Sequence, residues 1–495
     1  RHNGRPYMSI EHIDILIVGA GLSGIGAAAH IQKSCPGRSF VVLEGRNTLG
    51  GTWDLFRYPG IRSDSDMYTL GYAFRPWTEK KSIADGDTIL KYITDTSREH
   101  GIDSHIRYSH RVTRADWSSA ETRWNVEVET GPQRQRVQLS CNFLYVCTGY
   151  YNYEQGYTPA FAGTERFAGR IVHPQQWTDD IDYAGKRVVV IGSGATAVTL
   201  VPTMAATAAH VTMLQRSPTY VVSRPSEDRL ADWFRHYLPS GMAYGLTRWK
   251  NVLLGMFFYR LSKRRPERIK QMIVEGVRKS VGPDCDVGKH FTPSYKPWDQ
   301  RVCLVPDADL FRAIRKGKAS VVTDHIDTFT ETGIRLKSGE ELQADVIVTA
   351  TGLDLLALGG MELLVDGKAV VMKETMSYKG MMLAGVPNLF YVTGYTNASW
   401  TLKADLVGDY ACRLLNTMTR KGWRQCTPTL NDARVEEESW IDFTSGYIQR
   451  SIDKFPTQGN RKPWRLHQNY ALDLLTLRYG SVEDGTMVFS ARRSS

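Results

Sequence analysis

The sequence predicts an α/β protein with two Rossmann-like dinucleotide-binding domains and a helical insertion. Three observations predict this fold. An apolar strand, a glycine-rich turn and an alanine-rich helix follow one another near the start of the chain, and a similar succession returns after residue 186. The third observation is the length, because 495 residues exceed the size at which one hydrophobic core stops growing. Several domains are therefore expected.

The first unit, IDILIVGAGLSGIGAAAH, begins at Ile13 and has its glycines at Gly19, Gly21 and Gly24. Glycines at this spacing allow a tight turn, a close approach to a pyrophosphate and close helix packing, with the phosphates at the helix N-terminus. The next apolar run, FVVLE, ends at Glu44, where a carboxylate can accept hydrogen bonds from a ribose diol. The unit is therefore predicted to bind a dinucleotide and not to be a mere glycine-rich turn.

The second unit combines the strand RVVVIG, a turn with Gly192, Gly194 and Ala197, a helix, and the strand HVTMLQ. This last strand is followed by Arg216 at the place where the first unit has an acid. A carboxylate there would repel a 2′-phosphate, whereas an arginine can pair with it. The second unit is therefore predicted to prefer NADP to NAD; the alternative is that Arg216 is a solvated surface residue.

The composition of the chain limits the partners and the cellular location that are expected for it. The seven cysteines are scattered and never form C-x-x-C, so neither a disulfide framework nor a metal site is predicted. The net charge of +10 comes from dispersed basic residues without a nucleic-acid motif, which favours an anionic small molecule over nucleic acid. No apolar run reaches the ~18 residues of a membrane span, and no secretory leader precedes Met8. A cytoplasmic protein is expected.

Apolar stripes at helical spacing occupy the region between the second unit and its continuation. Ser226 is predicted to cap the first helix, and the basic run Lys263-Arg264-Arg265 follows the second stripe. The stripes are predicted to be core, with a substrate tunnel or a membrane-facing patch as alternatives. The stripes comprise Leu230, Trp233, Phe234, Tyr237 and Leu238; Leu246, Trp249, Leu253 and Phe257; and Ile269, Met272, Ile273 and Val277.

Two long motifs remain. FAGRIVHPQQW places Phe167, Gly169, His173 and Trp177 at a spacing that neither a helix nor a strand requires. This combination would arise by chance in roughly one chain per thousand of this composition, so chance is a poor explanation. The remaining alternative to a functional motif is a turn whose aromatic rings merely pack. The second motif, GGTWDLFRYPGIRSD, has the following notable members: Gly51, Trp53, Tyr58, Pro59, Gly60 and Asp64.

No cysteine pair follows Glu44, as a disulfide reductase of the same two-dinucleotide architecture would require. Instead, both long motifs resemble fingerprints of the type I Baeyer–Villiger flavin monooxygenases, which are two-dinucleotide-binding flavoproteins. The stretches WDLFRYPGIRSDSDMYTL, PWDQRVCLVPDADLFRAIR and GYTNASWTLKADL are similar to the branch that activates thioamide prodrugs. The resemblance runs from residue 13 to about residue 480. It departs at Thr178, where many members have Pro or Asp, and at Gln300, where better-known members have an NADP-binding Lys.

The resemblance implies an NADPH-dependent flavin monooxygenase that binds FAD in the first unit and NADPH in the second. Oxygen would add to the flavin C4a, and the resulting peroxide would attack an apolar ketone to give an ester. Arg301 matches the active-site arginine, Asp64 matches the acid that pairs with it, and Gly51, Trp53 and Trp400 would border the cofactor. Sulfides and thioamides would also be oxidised, because their sulfur attacks the peroxide without needing an anion beside the arginine.

Two other functions stay open: an S/N-oxygenating flavin monooxygenase without useful ketone activity, and a non-catalytic flavin redox sensor. Trp177 argues against the first, because S/N-oxygenating relatives usually have Tyr or Phe there. His173 is expected to serve as a hinge in the segment between the two cofactor domains, with proton transfer as the alternative. No nucleic-acid partner and no transmembrane segment are expected, and peripheral membrane association stays open.

The resemblance also divides the chain into parts. The FAD-binding domain is expected to leave off near Thr148-Gly149 and to resume after the second unit is complete. The predicted parts are 8–149 for the first part of the FAD-binding domain, 150–222 for the first part of the NADP-binding domain, 223–299 for the helical insertion, 300–380 for the second part of the NADP-binding domain, and 381–495 for the C-terminal part of the FAD-binding domain.

Overall fold

Two separate β-sheets form the centres of two α/β domains in the computed structural model, which describes residues 9–441 and 444–491. Residues 8, 442–443 and 492–495 of the predicted domains lie outside the described residues. Each sheet contains one of the two strand–turn–helix units predicted from the sequence. The predicted α/β class with two Rossmann-like domains and a helical insertion is confirmed.

The larger sheet has nine strands within the described residues. Its inner strand Glu11–Val18 is parallel to both neighbours, and its apolar residues are buried because the sheet is covered on both faces there. In sheet order the strands are Lys368–Ala369, Glu362–Val365, His110–Ser118, Arg123–Thr130, Gln135–Val146, Glu11–Val18, Phe40–Leu43 and Ile106–Arg107, with Leu389–Tyr391 also paired to Gln135–Val146.

The second sheet contains five parallel strands among the described residues, and its core is separate from that of the large sheet. In sheet order its strands are Ala319–Thr323, His210–Gln215, Arg187–Ile191, Val346–Thr349 and Arg170–Val172. The smaller strand groups are Tyr151–Gly156 with Leu353–Leu355; Val221–Arg224 with Cys303–Pro306; Ile326–Phe329, Gly333–Leu336 and Glu341–Gln343; Ser377–Tyr378 with Met382–Leu383; Gln425–Pro428 with Met487–Ser490; and Glu437–Glu438 with Gln458–Gly459.

The longer helices cover the sheets and form the insertion. They are α1 (Leu22–Ser34), α2 (Gly86–Glu99), α3 (Ala195–Ala205), α4 (Arg229–Tyr237), α5 (Ser240–Arg264), α6 (Pro266–Val281), α7 (Asp309–Arg315) and α8 (Trp400–Lys421). Single helical turns occur at Thr52–Leu55, Met67–Leu70, Val287–His290, Gly446–Gln449 and Tyr470–Asp473. Among the described residues, no helix combines the length and the apolar character that a membrane span requires.

The chain returns to the first domain earlier than predicted. The strand Glu362–Val365 is parallel to His110–Ser118 of the large sheet, although 300–380 was assigned to the second domain. Leu363 and Leu364 are buried in this position, and their burial favours pairing with the large sheet. A four-residue apolar strand carries no local signal for which of two sheets it joins, so the predicted boundary at residue 380 was placed too late.

The predicted cap of the insertion's first helix is also wrong. The carboxylate of Asp228, not the hydroxyl of Ser226, accepts hydrogen bonds from the backbone N–H groups of Leu230 and Ala231. Asp228 directly precedes α4, so its carboxylate reaches the free N–H groups of the first turn. Ser226 lies two residues earlier, and its carbonyl oxygen accepts hydrogen bonds from the backbone N–H groups of Ser82 and Ile83.

The prediction that the stripes of the insertion form core is wrong for α4 and α5. Most large apolar members of these two stripes face solvent, and α5 instead buries Ala243, Tyr244, Thr247, Arg248 and Val252. The stripe of α6 is divided, with Ile269 and Val277 buried. The exposed members are Leu230, Trp233, Tyr237, Leu246, Trp249, Leu253, Phe257 and Met272.

A buried charge cluster explains why α5 turns this side inward. The guanidinium of Arg248, 9% exposed, donates to the carbonyl oxygens of Tyr68 (2.9 Å) and Gly71 (2.6 Å) and lies 3.3 Å from Asp405 on α8. Asp405 also pairs with His30 on α1 at 2.9 Å. The cluster therefore joins the insertion to two helices of the first domain.

The stability that His30 contributes should disappear at alkaline pH. Burial lowers the pKa of His30, but its hydrogen bond and ion pair with Asp405 outweigh this effect and raise the pKa above its ordinary value. The stabilisation is therefore complete below the unfolded pKa of about 6.5 and is lost as the pH rises through the higher folded value. Urea unfolding of the protein and of His30→Gln should show a difference in free energy that is larger at about pH 6 than at about pH 9. A difference independent of pH would contradict this account.

Candidate functional site

A cavity of about 500 Å³ lies at the carboxyl ends of the central strands of the large sheet. Val18, Leu43 and Cys147, each at or just past the end of a strand, line it. Open α/β sheets bind their ligands at this edge, and the volume is within the range of small-molecule sites. The cavity is therefore the first candidate for a cofactor site.

The glycine-rich turn of the first unit forms one wall of the cavity. Gly19 has a φ of +105°, and a Cβ there would lie 2.4 Å from the carbonyl oxygen of Cys147, so this position requires glycine. Gly21 is the N-cap of α1, no side chain caps this helix, and Gly24 lies in its first turn. The turn therefore presents free backbone N–H groups to the cavity, as a bound pyrophosphate requires.

Glu44 lies at the end of the neighbouring strand and lines the same cavity. Its Oε2 accepts a hydrogen bond from the N–H of Ala20 (2.8 Å) and its Oε1 accepts one from the N–H of Arg46 (3.0 Å). Burial raises the pKa of Glu44, and the two N–H donors only partly offset this rise. Each oxygen keeps a lone pair for a further donor, so a ribose diol fits this position.

Arg301 and Asp64 meet at the cavity wall, where the guanidinium Nη2 donates to the Asp64 carboxylate. The side chain of Arg301 is 38% exposed and that of Asp64 is 35% exposed. The charge of Asp64 raises the pKa of Arg301 and outweighs the lowering caused by burial, so the guanidinium stays charged at every physiological pH. Tyr150 and Tyr447 line the cavity with this ion pair.

The GGTWDLFRYPGIRSD segment carries Asp64 to this place by crossing between the domains. Gly51 and Trp53 line the cavity, whereas Tyr58 packs against the hydrophobic core of the second domain. Arg62 then pairs with Asp309 on α7 at 2.5 Å. The segment thus contacts both domains, and Asp64 follows two residues after the second contact.

Trp400 forms the start of α8 and lines the cavity. Its indole N–H donates to the Ser23 hydroxyl of α1 at 2.7 Å, and its ring stacks on Tyr150 with 5.2 Å between the centroids. Trp400 therefore has both an anchored ring and a face toward the candidate cofactor site.

The second unit repeats the local geometry of the first. Gly192 has a φ of +131°, and a Cβ there would lie 2.2 Å from the carbonyl oxygen of Ala350. A Cβ added at Gly19 would clash in the same way with the carbonyl oxygen of Cys147. Gly194 is the N-cap of α3, without a side-chain cap, and Ala197 is buried in the first turn. Arg216 is exposed directly after His210–Gln215. These four residues lie outside the cavity of the first unit, at the end of the second sheet.

The FAGRIVHPQQW segment belongs to the second domain, where it supplies the strand Arg170–Val172, and it does not line the cavity. His173 Nδ1 accepts a hydrogen bond from the N–H of Gln175 (3.1 Å), so Nε2–H donates to the carbonyl oxygen of Gly352 (3.0 Å), where the chain leaves the second sheet. Burial lowers the pKa of His173, which favours this neutral form. Phe167 and Trp177 pack in cores of the second domain, and Gly169 directly precedes the strand Arg170–Val172.

Sequence reasoning missed several residues that line the cavity. Tyr150 follows Thr148-Gly149 at the predicted crossover, and its position there was the only available signal. Trp440 and Tyr447 come from a distant segment without any motif, so nothing in the sequence indicated them. The missed lining residues include Ser23, Arg46, Tyr150, Tyr151, Tyr153, Tyr395, Trp440 and Tyr447.

Comparison with known proteins agrees with this arrangement. A family profile described as flavin-binding monooxygenase-like matches residues 76–382, and one described as an NAD(P)-binding Rossmann-like domain matches residues 17–78. The FAD-containing monooxygenase EthA of Mycobacterium tuberculosis is 54% identical over 483 residues, which cover 97% of the chain and 98% of that protein.

Two solved structures share the fold. An oxidized steroid monooxygenase bound to NADP is 25% identical, with a TM-score of 0.71 over 84% of the chain and 88% of its own. The OTEMO complex with FAD and NADP is 19% identical, with a TM-score of 0.74 over 97% of the chain and 100% of its own. By its full-length similarity to EthA and its match to the family profile, the chain belongs to the flavin-binding monooxygenase-like family.

Proposed function

We propose that this NADPH-dependent flavin monooxygenase converts apolar ketones to esters by Baeyer–Villiger oxygenation and also oxidises sulfides and thioamides. The observation that carries the proposal is the Arg301–Asp64 ion pair, which lines the same cavity as the glycine turn and Glu44. A fixed cation in a partly buried cavity is what a reaction that develops an oxyanion requires. The family pattern ending in Trp177 favours ketones over sulfur alone.

The cofactors are FAD and NADPH, and the first unit fits FAD. The N-terminus of α1, with Gly21 as its N-cap, would hold the pyrophosphate, and Glu44 would accept hydrogen bonds from the ribose. Trp53 and Trp400 would border the bound cofactor. When bound, FAD accepts hydride from NADPH and activates molecular oxygen. NADPH would bind at the turn of the second unit, with its 2′-phosphate at Arg216.

Arg301 would stabilise the negative charge that develops on the former carbonyl oxygen of the ketone. Its guanidinium is permanently charged, and Asp64 holds one of its nitrogens, which leaves the other N–H groups for the substrate. Asp64 would thus position the cation and reduce the cost of placing it in a partly buried site. Oxidation of a sulfide builds no such charge, because the sulfur supplies the electron pair.

The segment around His173 would act as a hinge and not in proton transfer. Both ring nitrogens of His173 already have backbone partners, and the ring does not line the cavity. Its bond to Gly352 joins the residue that follows the edge strand Arg170–Val172 to the place where the chain leaves the second sheet after Val346–Thr349. The two cofactor-binding domains would rotate about this point during the reaction.

The experiment that tests the proposal compares one aryl methyl ketone with one aryl methyl sulfide, each with NADPH and oxygen. Ester formation from the ketone supports the proposal. Oxidation of the sulfide alone would leave the S-oxygenating alternative. If a broad panel of ketones and sulfides caused no substrate-dependent NADPH consumption, the redox-sensor alternative would replace both.

The chain should use NADPH in preference to NADH because Arg216 pairs with the 2′-phosphate. A charge-assisted contact of this kind contributes about 1.5–3 kcal/mol, or roughly tenfold to a hundredfold in affinity. We expect Arg216→Ala to lower kcat/KM for NADPH by that factor and to leave kcat/KM for NADH unchanged. The control is Arg335→Ala, in the separate three-stranded sheet. Equal kcat/KM values of the unmodified protein for the two coenzymes would refute the assignment.

A further inference from the structure

Helix α5 exposes more large apolar side chains than a helix at a protein surface ordinarily does. Its inward side carries Arg248 and Thr247 beside Tyr244 and Val252, and a series of large apolar side chains faces solvent on the other side. We call this series the α5 apolar face: Met242, Leu246, Trp249, Leu253 and Phe257, which are between 39% and 58% exposed. It extends for about 22 Å along the helix.

Helix α4 packs beside α5 and adds two exposed rings. Trp233 is 53% exposed and Tyr237 is 63% exposed, with 5.1 Å between their ring centroids. Monomeric proteins rarely leave so many large apolar side chains together in water, and such a surface marks a binding face. Tryptophan and tyrosine are the residues favoured at the boundary between lipid headgroups and hydrocarbon.

Basic residues stand at the C-terminal end of the α5 apolar face. Residues 240–265 contain no Asp or Glu. Exposed Arg260, Arg264 and Arg265 follow Phe257, and no carboxylate in the described part of the chain lies within ion-pair distance of them. Lys263 lies 3.3 Å from Asp299 and is partly neutralised. The face therefore combines apolar surface with positive charge that has no acidic counterpart on the helix.

We propose that the α5 apolar face docks the protein onto the surface of an anionic lipid bilayer. Leu253 and Phe257 enter the headgroup region, and Arg260 and Arg264 contact the anionic headgroups. A second copy of the chain fits less well, because its α5 would bring the same positive charge and no acidic residue. The helix lies in the plane of the membrane surface and stays attached to the first domain through Arg248.

Co-sedimentation with lipid vesicles tests the proposal. One vesicle preparation contains phosphatidylcholine alone, and the other contains about one third phosphatidylglycerol at about 0.1 M salt. The flavin-loaded protein is compared with Leu253→Ser/Phe257→Ser and with Arg260→Gln/Arg264→Gln. The matched control is Val371→Ser/Leu430→Ser, which changes two apolar residues exposed to a similar degree elsewhere, at 43% and 44%.

We expect the protein and the control to bind the anionic vesicles and to bind the neutral ones much less. Leu253→Ser/Phe257→Ser should weaken binding at least tenfold, and Arg260→Gln/Arg264→Gln should weaken it about thirtyfold. Every variant should keep its flavin content and its rate of NADPH oxidation, which shows that the fold is intact.

Three results would overturn the proposal. The first is equal binding of neutral and anionic vesicles, or equally strong vesicle binding by the two α5 variants and the control variant. The second is sedimentation without lipid that shows an oligomer which Leu253→Ser/Phe257→Ser converts to monomers, because the face would then join copies of the chain. The third is a raised KM for an apolar ketone with unchanged vesicle binding, because the face would then guide substrate.

Discussion

Replacing Arg301 with alanine should separate flavin reduction from ester formation. The guanidinium is placed to stabilise charge that develops on the ketone after oxygen has reacted, whereas FAD is held by the turn at Gly19 and by Glu44. Ester formation should fall by roughly 10²- to 10³-fold, the effect of removing one oxyanion donor. Flavin content should stay near normal, and NADPH should still bleach the flavin without oxygen.

The measurement is a pair of rates on one preparation: anaerobic flavin reduction and aerobic ester production. Arg335→Ala serves as the control, because Arg335 is in the three-stranded sheet and does not line the cavity, and it should change neither rate. Sulfide oxidation by Arg301→Ala should fall less than ketone oxidation, because its transition state builds no carbonyl oxyanion. Retained ester production, or loss of flavin together with the fold, would show that Arg301 is not the catalytic cation.

Arg248→Met should destabilise the protein by about 3–5 kcal/mol, the usual loss when one partner of a buried ion pair is removed. Asp405, 4% exposed, would keep its buried charge without the guanidinium, and the carbonyls of Tyr68 and Gly71 would lose their donor. Burial by itself raises the pKa of Asp405, but His30 and Arg248 together hold that pKa below its ordinary value. The lost pairing therefore acts on a carboxylate that is charged at neutral pH.

Urea unfolding at neutral pH, followed by circular dichroism, measures this loss. Arg260→Met is the matched control, because Arg260 lies on the same helix but is exposed, and it should change the free energy of unfolding by no more than about 0.5 kcal/mol. The double variant Arg248→Met/Asp405→Asn should recover part of the loss, since it leaves no unpaired carboxylate. Equal stability of the two single variants would mean that the buried cluster does not hold α5.

Local features of the sequence were enough to predict the two dinucleotide units. Strand, turn and helix are neighbours in the chain, and the positive φ of Gly19 and Gly192 follows from the turn that links them. Glu44 was predictable for the same reason, because it ends the very next strand of the unit. The α/β class and the family followed from these units and from the two long motifs.

The positions of Arg301 and Asp64 could not be worked out from spacing. They are 237 residues apart, and only the resemblance to a family indicated that they form a pair. Tyr447 lines the cavity from a segment without any motif. Such side chains meet because the chain crosses between the two domains. Sequence periodicity does not indicate where that crossing occurs.

Features whose residues are adjacent in the chain could be predicted without a structure: the two Rossmann-like turns, their helices, and the helical character of residues 223–299. Where each of these units packs became known only from the folded chain. It assigned Glu362–Val365 to the large sheet, and it turned the stripe of Leu246 and Phe257 outward. Periodicity shows only that a helix has two faces, whereas the buried pairing of Arg248 with Asp405 determines which face points inward.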